Sequence, residues 1–573
     1  MKVESRLPQK PMSFWSHPIV PVFIAITLVK ILLAPSYYST DYEVHRNWKA
    51  VTLSLRPSKW YFDATSPWTL DYPPLFAIFE AIWARIAVLA DPNMVQLSAL
   101  DHHSWASLIF MRASVMTSDL CLLGGTWLCA ANPSPEVNNS APVLVLLSAG
   151  LLLVDHIHFQ YNGFQFGVLL LSIGALRKCV AQVDASKQTR WGLIGGAAFA
   201  ALLGLKHLYL PLSLVYFMHL FFGYCHPDGR SFSLGRFTAL GAVVLAVLAA
   251  PYLFIILDDT SASGGALLNS TRTQLYQIGG RLFPFVGVTE ECSVVHGAST
   301  ATLTNACHER GLVHAYWAAN AWALYLTADH VIFKALRKLH AIAPALPLPN
   351  LPSVLEGASA TAGLVGRVST RVLPQITPAI AAALTLLAML PALVATAAAA
   401  KLSLRQRDSS VFERSLAHAS LSAFVFGWHV HEKAILGALV LLGLLASAQR
   451  PRDATHFLRL SALGGFALFP LFTHPRETPT KLLIFLASLR LAYLALGSPR
   501  MQAVDQLFAI LLANLFVFNE IVHPLLFAPR HLLEFLPLML TSTLCSLGIC
   551  ACWCMSAAQL SADAWTYISA KGS

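Results

Sequence analysis

Ten residues beginning at Ser39, "STDYEVHRNW", crowd Asp41, Glu43, His45 and Arg46 together. The pattern Thr40-x-x-Glu43 fits a capping box, in which Thr40 caps a new helix and Glu43 reaches back to it. Asp41 then falls in the first turn, where the helix dipole favours an ionised carboxylate. An ionised carboxylate beside an apolar boundary is what removal of a proton from a hydroxyl requires. His45 follows one turn later on the same face, and Arg46 is spaced to pair with Glu43.

Other polar clusters repeat the theme. "SKWYFDATSPWTLDYPP" (58–74) puts Asp71 and Tyr72 before two prolines, which enforce an extended chain there. Its aromatics Trp60, Tyr61 and Trp68 suit an interfacial belt first and sugar stacking second. "DHIHFQYN" offers Asp155, His156, His158, Gln160 and Asn162. Interhelical hydrogen bonding explains it as well as a His-x-His metal pair, because no carboxylate or cysteine spacing completes a ligand set. "LKHLYLP" carries Lys206 and His207. "GWHVHEKAIL" (427–436) places His429, His431, Glu432 and Lys433 at a helix start. It lacks the second histidine of a zinc-protease motif; Lys and His beside apolar spans suit a lipid-linked phosphate instead. Arg281 in "GRLFPF" adds a cation of the same use. No Walker loop, GxSxG or Rossmann glycine pattern occurs, nor an aspartate pair for a metal-bound nucleotide sugar.

The elements that must position these residues are membrane helices. Of the 573 residues 56% are hydrophobic and 12% charged, with mean hydropathy +0.59; soluble domains carry about a quarter charged residues. Apolar runs lie near 18–35, 105–131, 141–155, 163–177, 191–207, 209–223, 235–257, 376–400, 413–428, 433–448, 457–473, 480–497, 505–526 and 533–556. They predict an all-α polytopic protein of about fourteen transmembrane helices. The first run follows a mildly basic start (Lys2, Arg6, Lys10) without a cleavage site, so it reads as a retained span with a cytoplasmic N-terminus.

The net charge of +10 resides in short loops, as membrane topology prefers, and no nucleic-acid pattern accompanies it. With fourteen spans, Arg177/Lys178, Arg230/Arg236, Lys401/Arg405/Arg407 and Arg450/Arg452 all face the cytoplasm. Residues 36–104, 155–162, 206–209, 258–375, 429–433 and 474–481 then share the opposite side, and both termini are cytoplasmic. Polar groups converging at a membrane face mark a functional site by default. The apolar stretch 311–330 is placed as a re-entrant or interfacial segment inside the loop 258–375, because a further span would invert every loop after it. Asn269 and Asn138 carry glycosylation triplets, the latter on the cytoplasmic side. Cys292 and Cys307 could pair on an oxidising side or stay free, and residues 340–370 read as extended connector.

"STDYEVHRNW", "SKWYFDATSPWTLDYPP", "DHIHFQYNGF", "RLFPF" and "FGWHVHEKAIL", in this order, resemble the dolichyl-phosphate-glucose glucosyltransferases of asparagine-linked glycosylation in the endoplasmic reticulum. "DYEVHRNW", "HVHEKAIL" and "HAYWAANAWALY" resemble the members adding the second glucose more than those adding the first. The segment 288–309 departs from the compact spacing expected there. The resemblance implies the GT-C glycosyltransferase fold: one membrane domain over 1–573, with a first lumenal loop at 36–104, a long lumenal loop at 258–375 and a C-terminal helix bundle at 376–556. It implies α-1,3 transfer with inversion, from dolichyl phosphate glucose to a monoglucosylated oligosaccharide on dolichyl diphosphate. Neither a cofactor nor a metal is implied, and no obligate protein partner. Asp41 matches the catalytic aspartate, with Asp71 the second candidate, and His431 with Lys433 matches the position meeting the donor phosphate. Glu43, His45, Arg46, Trp48, Trp60, Asp71 and Tyr72 are expected to bind substrate from the first loop. His158, Gln160, Asn162, Lys206, His207 and Arg281 would do so from later segments. A first-glucose transferase and, from another class, a polytopic transporter are the alternatives; a transporter would show repeats and midplane sites, whereas these clusters share one side.

Overall fold

The computed structural model describes residues 15, 17–131, 141–263, 266–283, 312, 317–342, 370–406, 408–447, 449–472 and 474–569. Among the described residues every regular element is a helix. All fourteen apolar runs are helical, from Ile19–Leu33 to Leu536–Ser569, with the run 141–155 split into Ala141–Leu146 and Ala149–Leu153. Among the described residues seven helices are long and apolar enough to cross a membrane, and Ile19–Leu33, Val143–Phe159 and Leu212–Tyr224 are shorter apolar segments. Outward-facing aliphatic side chains such as Leu245 (68% exposed) and Leu483 (70% exposed) suit a lipid environment. Pro251 and Pro391 sit inside long helices, which membrane helices tolerate.

The helices Trp105–Ala130 and Asn162–Ala181 meet almost backbone to backbone. A Cβ at Gly125 would strike the Gly167 carbonyl oxygen, and one at Gly167 would strike the Cys121 backbone. Small residues let membrane helices approach this closely.

The polar first loop is itself helical. Thr40–Ser54 and Pro74–Ala90 pack together, the second opened by Pro74 at its first position, where a missing N–H costs nothing. The cap expected at Thr40 moves one residue: Ser39 is the N-cap and its side chain accepts from the Asp41 N–H (3.1 Å). Ser39 in turn donates through N–H (2.9 Å) and hydroxyl (2.6 Å) to the His158 carbonyl, so a tertiary contact fixes where the helix begins. Glu43 pairs with Arg46 rather than reaching back.

Residues 258–375, expected as a long loop, contain the helices Leu267–Leu282 and Ala321–Ile342. The second takes in residues 321–330 and packs against Leu536–Ser569, with Ser542 donating to the Trp317 carbonyl (2.6 Å) and Trp322 to that of Gly427 (2.7 Å). Asn269 is exposed on the helix Leu267–Leu282. Asn138, Cys292, Cys307, most of the connector 340–370 and residues 288–309 lie outside the described residues.

The polar segments that the hydropathy pattern puts on one side do touch. Tyr37 N–H points at Glu477 (3.4 Å), Arg56 pairs with Asp258 (3.2 Å) and Gln274 donates to the Ser58 carbonyl (3.1 Å). Arg177, fifteen residues along the helix from Asn162 and so about 22 Å away, pairs with Glu413 (2.7 Å). Arg414 bridges Asp453 (3.3 Å) and Asp563 (2.7 Å).

Candidate active site

One oxygen of Asp41 organises the site. Its Oδ2 accepts from Lys433 Nζ at 2.6 Å and Gln160 Nε2 at 2.7 Å, with His158 Nε2 at 3.3 Å. Lys433 Nζ also lies 3.2 Å from His158 Nε2. The Asp41 side chain is 23% exposed. Burial alone would raise its pKa, but the Lys433 ammonium and His158 outweigh that and hold the carboxyl well below the usual range.

Local backbone explains how His158 and Gln160, two residues apart, reach the same atom. The chain leaves a wide turn at Val154–Phe159, and Phe159 has a φ of 88°, a left-handed conformation that costs about 1–3 kcal/mol in a non-glycine residue. Gln160 follows in extended backbone. Its side-chain oxygen Oε1 accepts from Asn162 Nδ2 (2.7 Å), and the same Asn162 amide donates to Asp155 Oδ1 (2.8 Å). Gly163 N–H donates to Asp155 Oδ2 (2.6 Å), and a Cβ at Gly163 would run into Asp119 Oδ1, so glycine is required there. His156 turns away to Asp119 (2.9 Å), which also takes Lys30 (2.7 Å). The two histidines of "DHIH" therefore serve different carboxylates. Among the described residues no group of three or more His, Cys, Asp and Glu side chains is arranged to hold a metal ion.

Lys206, just past the helix Ala185–Leu205, closes the other wall. Its Nζ is 3.3 Å from Asn162 Oδ1 and 5.0 Å from the centre of the Tyr72 ring. Burial and the like charge of Lys433 push it down to about 8, against the pull of Asp155, Asp41 and Asp71, which brings Asp71 into electrostatic reach of the site. His431, in reach of Lys433, Asp41 and His158, sets Nδ1 2.6 Å from Glu432 Oε1. The turn Glu432–Ala434, leading into Ile435–Leu445, carries Lys433.

The remaining expected residues are placed apart from Asp41. Glu43 and Arg46 form a two-pronged pair (2.6 and 2.7 Å), and Arg46 also donates to the Met94 carbonyl (2.6 Å). His45 Nδ1 meets Glu80 Oε1 (2.7 Å), whose other oxygen takes Lys49 (2.6 Å); Lys49 reaches the Tyr161 hydroxyl (3.1 Å). Trp48 backs the Tyr72 ring (5.1 Å between centres) and donates to the Trp68 carbonyl. Trp60 is buried and donates to the Leu55 carbonyl, Arg281 donates to the Tyr61 carbonyl (3.2 Å), and His207 packs edge-on to Phe283. Ser39, Lys49 and Glu80 were not singled out from sequence. The four-residue step from His45 to Lys49 was a signal that both face one partner.

Residues 26–292 and 307–556 match the ALG6, ALG8 glycosyltransferase family. The chain belongs to that family. Within the ALG6, ALG8 family it is 38% identical over 551 residues to an Arabidopsis thaliana protein, covering 93% of this chain and 95% of the relative. A Coccidioides immitis relative is 38% identical over 539 residues (91% and 94%), and one from Mus musculus 36% over 565 (94% of each). All three bear the name dolichyl pyrophosphate Glc1Man9GlcNAc2 alpha-1,3-glucosyltransferase. This member of the ALG6, ALG8 family is thus a helical membrane glycosyltransferase.

Proposed function

We propose that the chain transfers glucose from dolichyl phosphate β-D-glucose to Glc1Man9GlcNAc2 on dolichyl diphosphate, making an α-1,3 bond by a single inverting displacement. The observation that carries the site is the meeting of Asp41 and Lys433 across 392 residues of sequence. Asp41 removes the proton of the acceptor hydroxyl, that oxygen bonds to C1 of glucose, and the C1–O bond to phosphate breaks from the opposite face. Dolichyl phosphate leaves with the bonding pair, met by Lys433 and His431. Lys206 binds substrate from the Tyr72 side, and Asp71 stands beside it. The acceptor assignment rests on the printed names of the relatives, and the second-glucose motifs support it.

The site is lumenal in the endoplasmic reticulum membrane, and both termini are cytoplasmic. The contacts among the polar segments, with Arg177 and Arg414 gathered away from them, support that topology. A GT-C arrangement of about fourteen membrane helices in one domain is the architecture proposed with it, since all fourteen apolar runs are helical.

Purified protein in detergent, given dolichyl phosphate glucose with either a bare or a monoglucosylated acceptor, should glucosylate only the latter. Transfer to the bare acceptor would make it a first-glucose enzyme, and no transfer by folded protein would return the transporter reading. A second expectation concerns pH. Lys206 is mostly an ammonium below pH 8 and a neutral amine above it, so transfer should decline as pH rises through about 8. Lys206→Arg, which stays protonated, should abolish that decline; an unmoved alkaline limb would assign the titration elsewhere.

A further inference from the structure

Lys433 is claimed twice. Its Nζ sits 2.6 Å from Asp41 Oδ2, yet the proposed reaction asks it to meet the donor phosphate. While it stays on Asp41 the carboxylate is a weakened base, because a nearby ammonium favours the ionised form. We propose that the phosphate of the arriving donor draws Lys433 off Asp41, so that Asp41 becomes a competent base only in the donor complex, while Gln160 keeps the carboxylate in place throughout the exchange. The inference rests on the reading above and adds an order of events: donor before acceptor chemistry.

The two anchors of Asp41 differ in kind. Gln160 is built in. Its amide donates to Asp41 Oδ2 (2.7 Å), its oxygen is held by Asn162 (2.7 Å), and Asn162 is held by Asp155 (2.8 Å), which the Gly163 N–H fixes in turn (2.6 Å). None of these bonds involves Lys433. The backbone of Asp41 is separately tied down through Ser39 and the His158 carbonyl. Lys433, by contrast, is an ammonium on a flexible four-carbon stem carried by a single short turn.

Lys433 and Gln160 both donate to Oδ2 and His158 Nε2 lies on the same side, which leaves the Oδ1 side of a partly exposed carboxylate for the acceptor hydroxyl. The charged and titratable groups facing Asp41 are Lys433 and His158 at contact, with Lys206, His431 and the Tyr72 hydroxyl behind them; Lys206 in turn faces Asp71 and Asp155. Glu43, on the same helix as Asp41, is occupied by Arg46. An anionic phosphate brought to Lys433 competes with Asp41 for the one ammonium in contact with it. Gln160 is thereby a positioning residue.

The test compares two pH profiles of the purified wild-type enzyme. The ratio kcat/KM for the donor reports the free enzyme and kcat reports the substrate complex. The acid limb in kcat should lie at higher pH than the limb in kcat/KM, because only the complex has lost the lysine's grip. Lys433→Met should raise the limb in kcat/KM towards that in kcat and leave the kcat limb nearly in place. Gln160→Ala should lower kcat about 10- to 100-fold, the scale of one hydrogen bond to a charged group, with donor KM within about twofold, as expected of one such bond acting on the base alone. Coincident wild-type limbs, or a Lys433→Met variant that moves both limbs equally, would overturn the exchange. The wild-type comparison decides the matter if Lys433→Met fails to fold. Failure of the activity itself is seen earlier and separately, as no glucose transfer to either acceptor.

Discussion

Asp41→Asn should lower glucose transfer by about three orders of magnitude, within the 10²- to 10⁴-fold range that positioned proton transfer contributes. The amide keeps the shape of the carboxylate and can still accept from Gln160, but it cannot take a proton from the acceptor hydroxyl. The variant should fold, because Ser39 caps the helix through the backbone N–H of residue 41 and not through its side chain. Removing the carboxylate charge also frees Lys433, which is otherwise paired at 2.6 Å, so binding of dolichyl phosphate glucose should hold or tighten. Transfer measured by product mass beside donor binding on the same preparation checks both parts. Asp71→Asn is the control: a larger loss there than at Asp41 would move the base to Asp71.

Glu80→Ala should destabilise the protein by about 3–5 kcal/mol, the cost of leaving a buried charge without its partner. Glu80 and Lys49 are both fully buried, with His45 on the second carboxylate oxygen. Loss of Glu80 strands the Lys49 ammonium beside the Tyr161 hydroxyl. Thermal melting in detergent should show a large fall for the single variant. Paired replacement of Lys49 by Met and Glu80 by Leu should recover much of it, because a well-packed apolar pair stands in for a buried ion pair at little cost. A single variant that melts like wild type would mean that water reaches Lys49.

That buried network is set by packing and not by local sequence. Glu80 lies inside "PPLFAIFEAIW", an apolar stretch that offers no partner for it. His45 was expected to line the site on the strength of its spacing from Asp41. Packing of Thr40–Ser54 on Pro74–Ala90 turns it to Glu80 instead. Arg46 was the easier case, since its partner Glu43 is three residues away and the pairing follows from helical geometry alone. The helix start was misplaced by one residue, because Ser39 is chosen by the His158 carbonyl, 119 residues distant.

Helices, apolar faces and the chemical cast of the site were legible in the chain, since hydropathy and spacing act over a few residues and each segment carries its own signal. Asp41, His158, Gln160, Asn162, Lys206 and Lys433 could all be picked out by type. Which of them share an atom could not. Sequence alone assigns Lys433 to a phosphate and names no carboxylate for it, although Glu432 is its neighbour in the chain. Tertiary packing gave it to Asp41, because ion pairs are decided by distances of a few ångströms between segments that sequence separation leaves unconstrained.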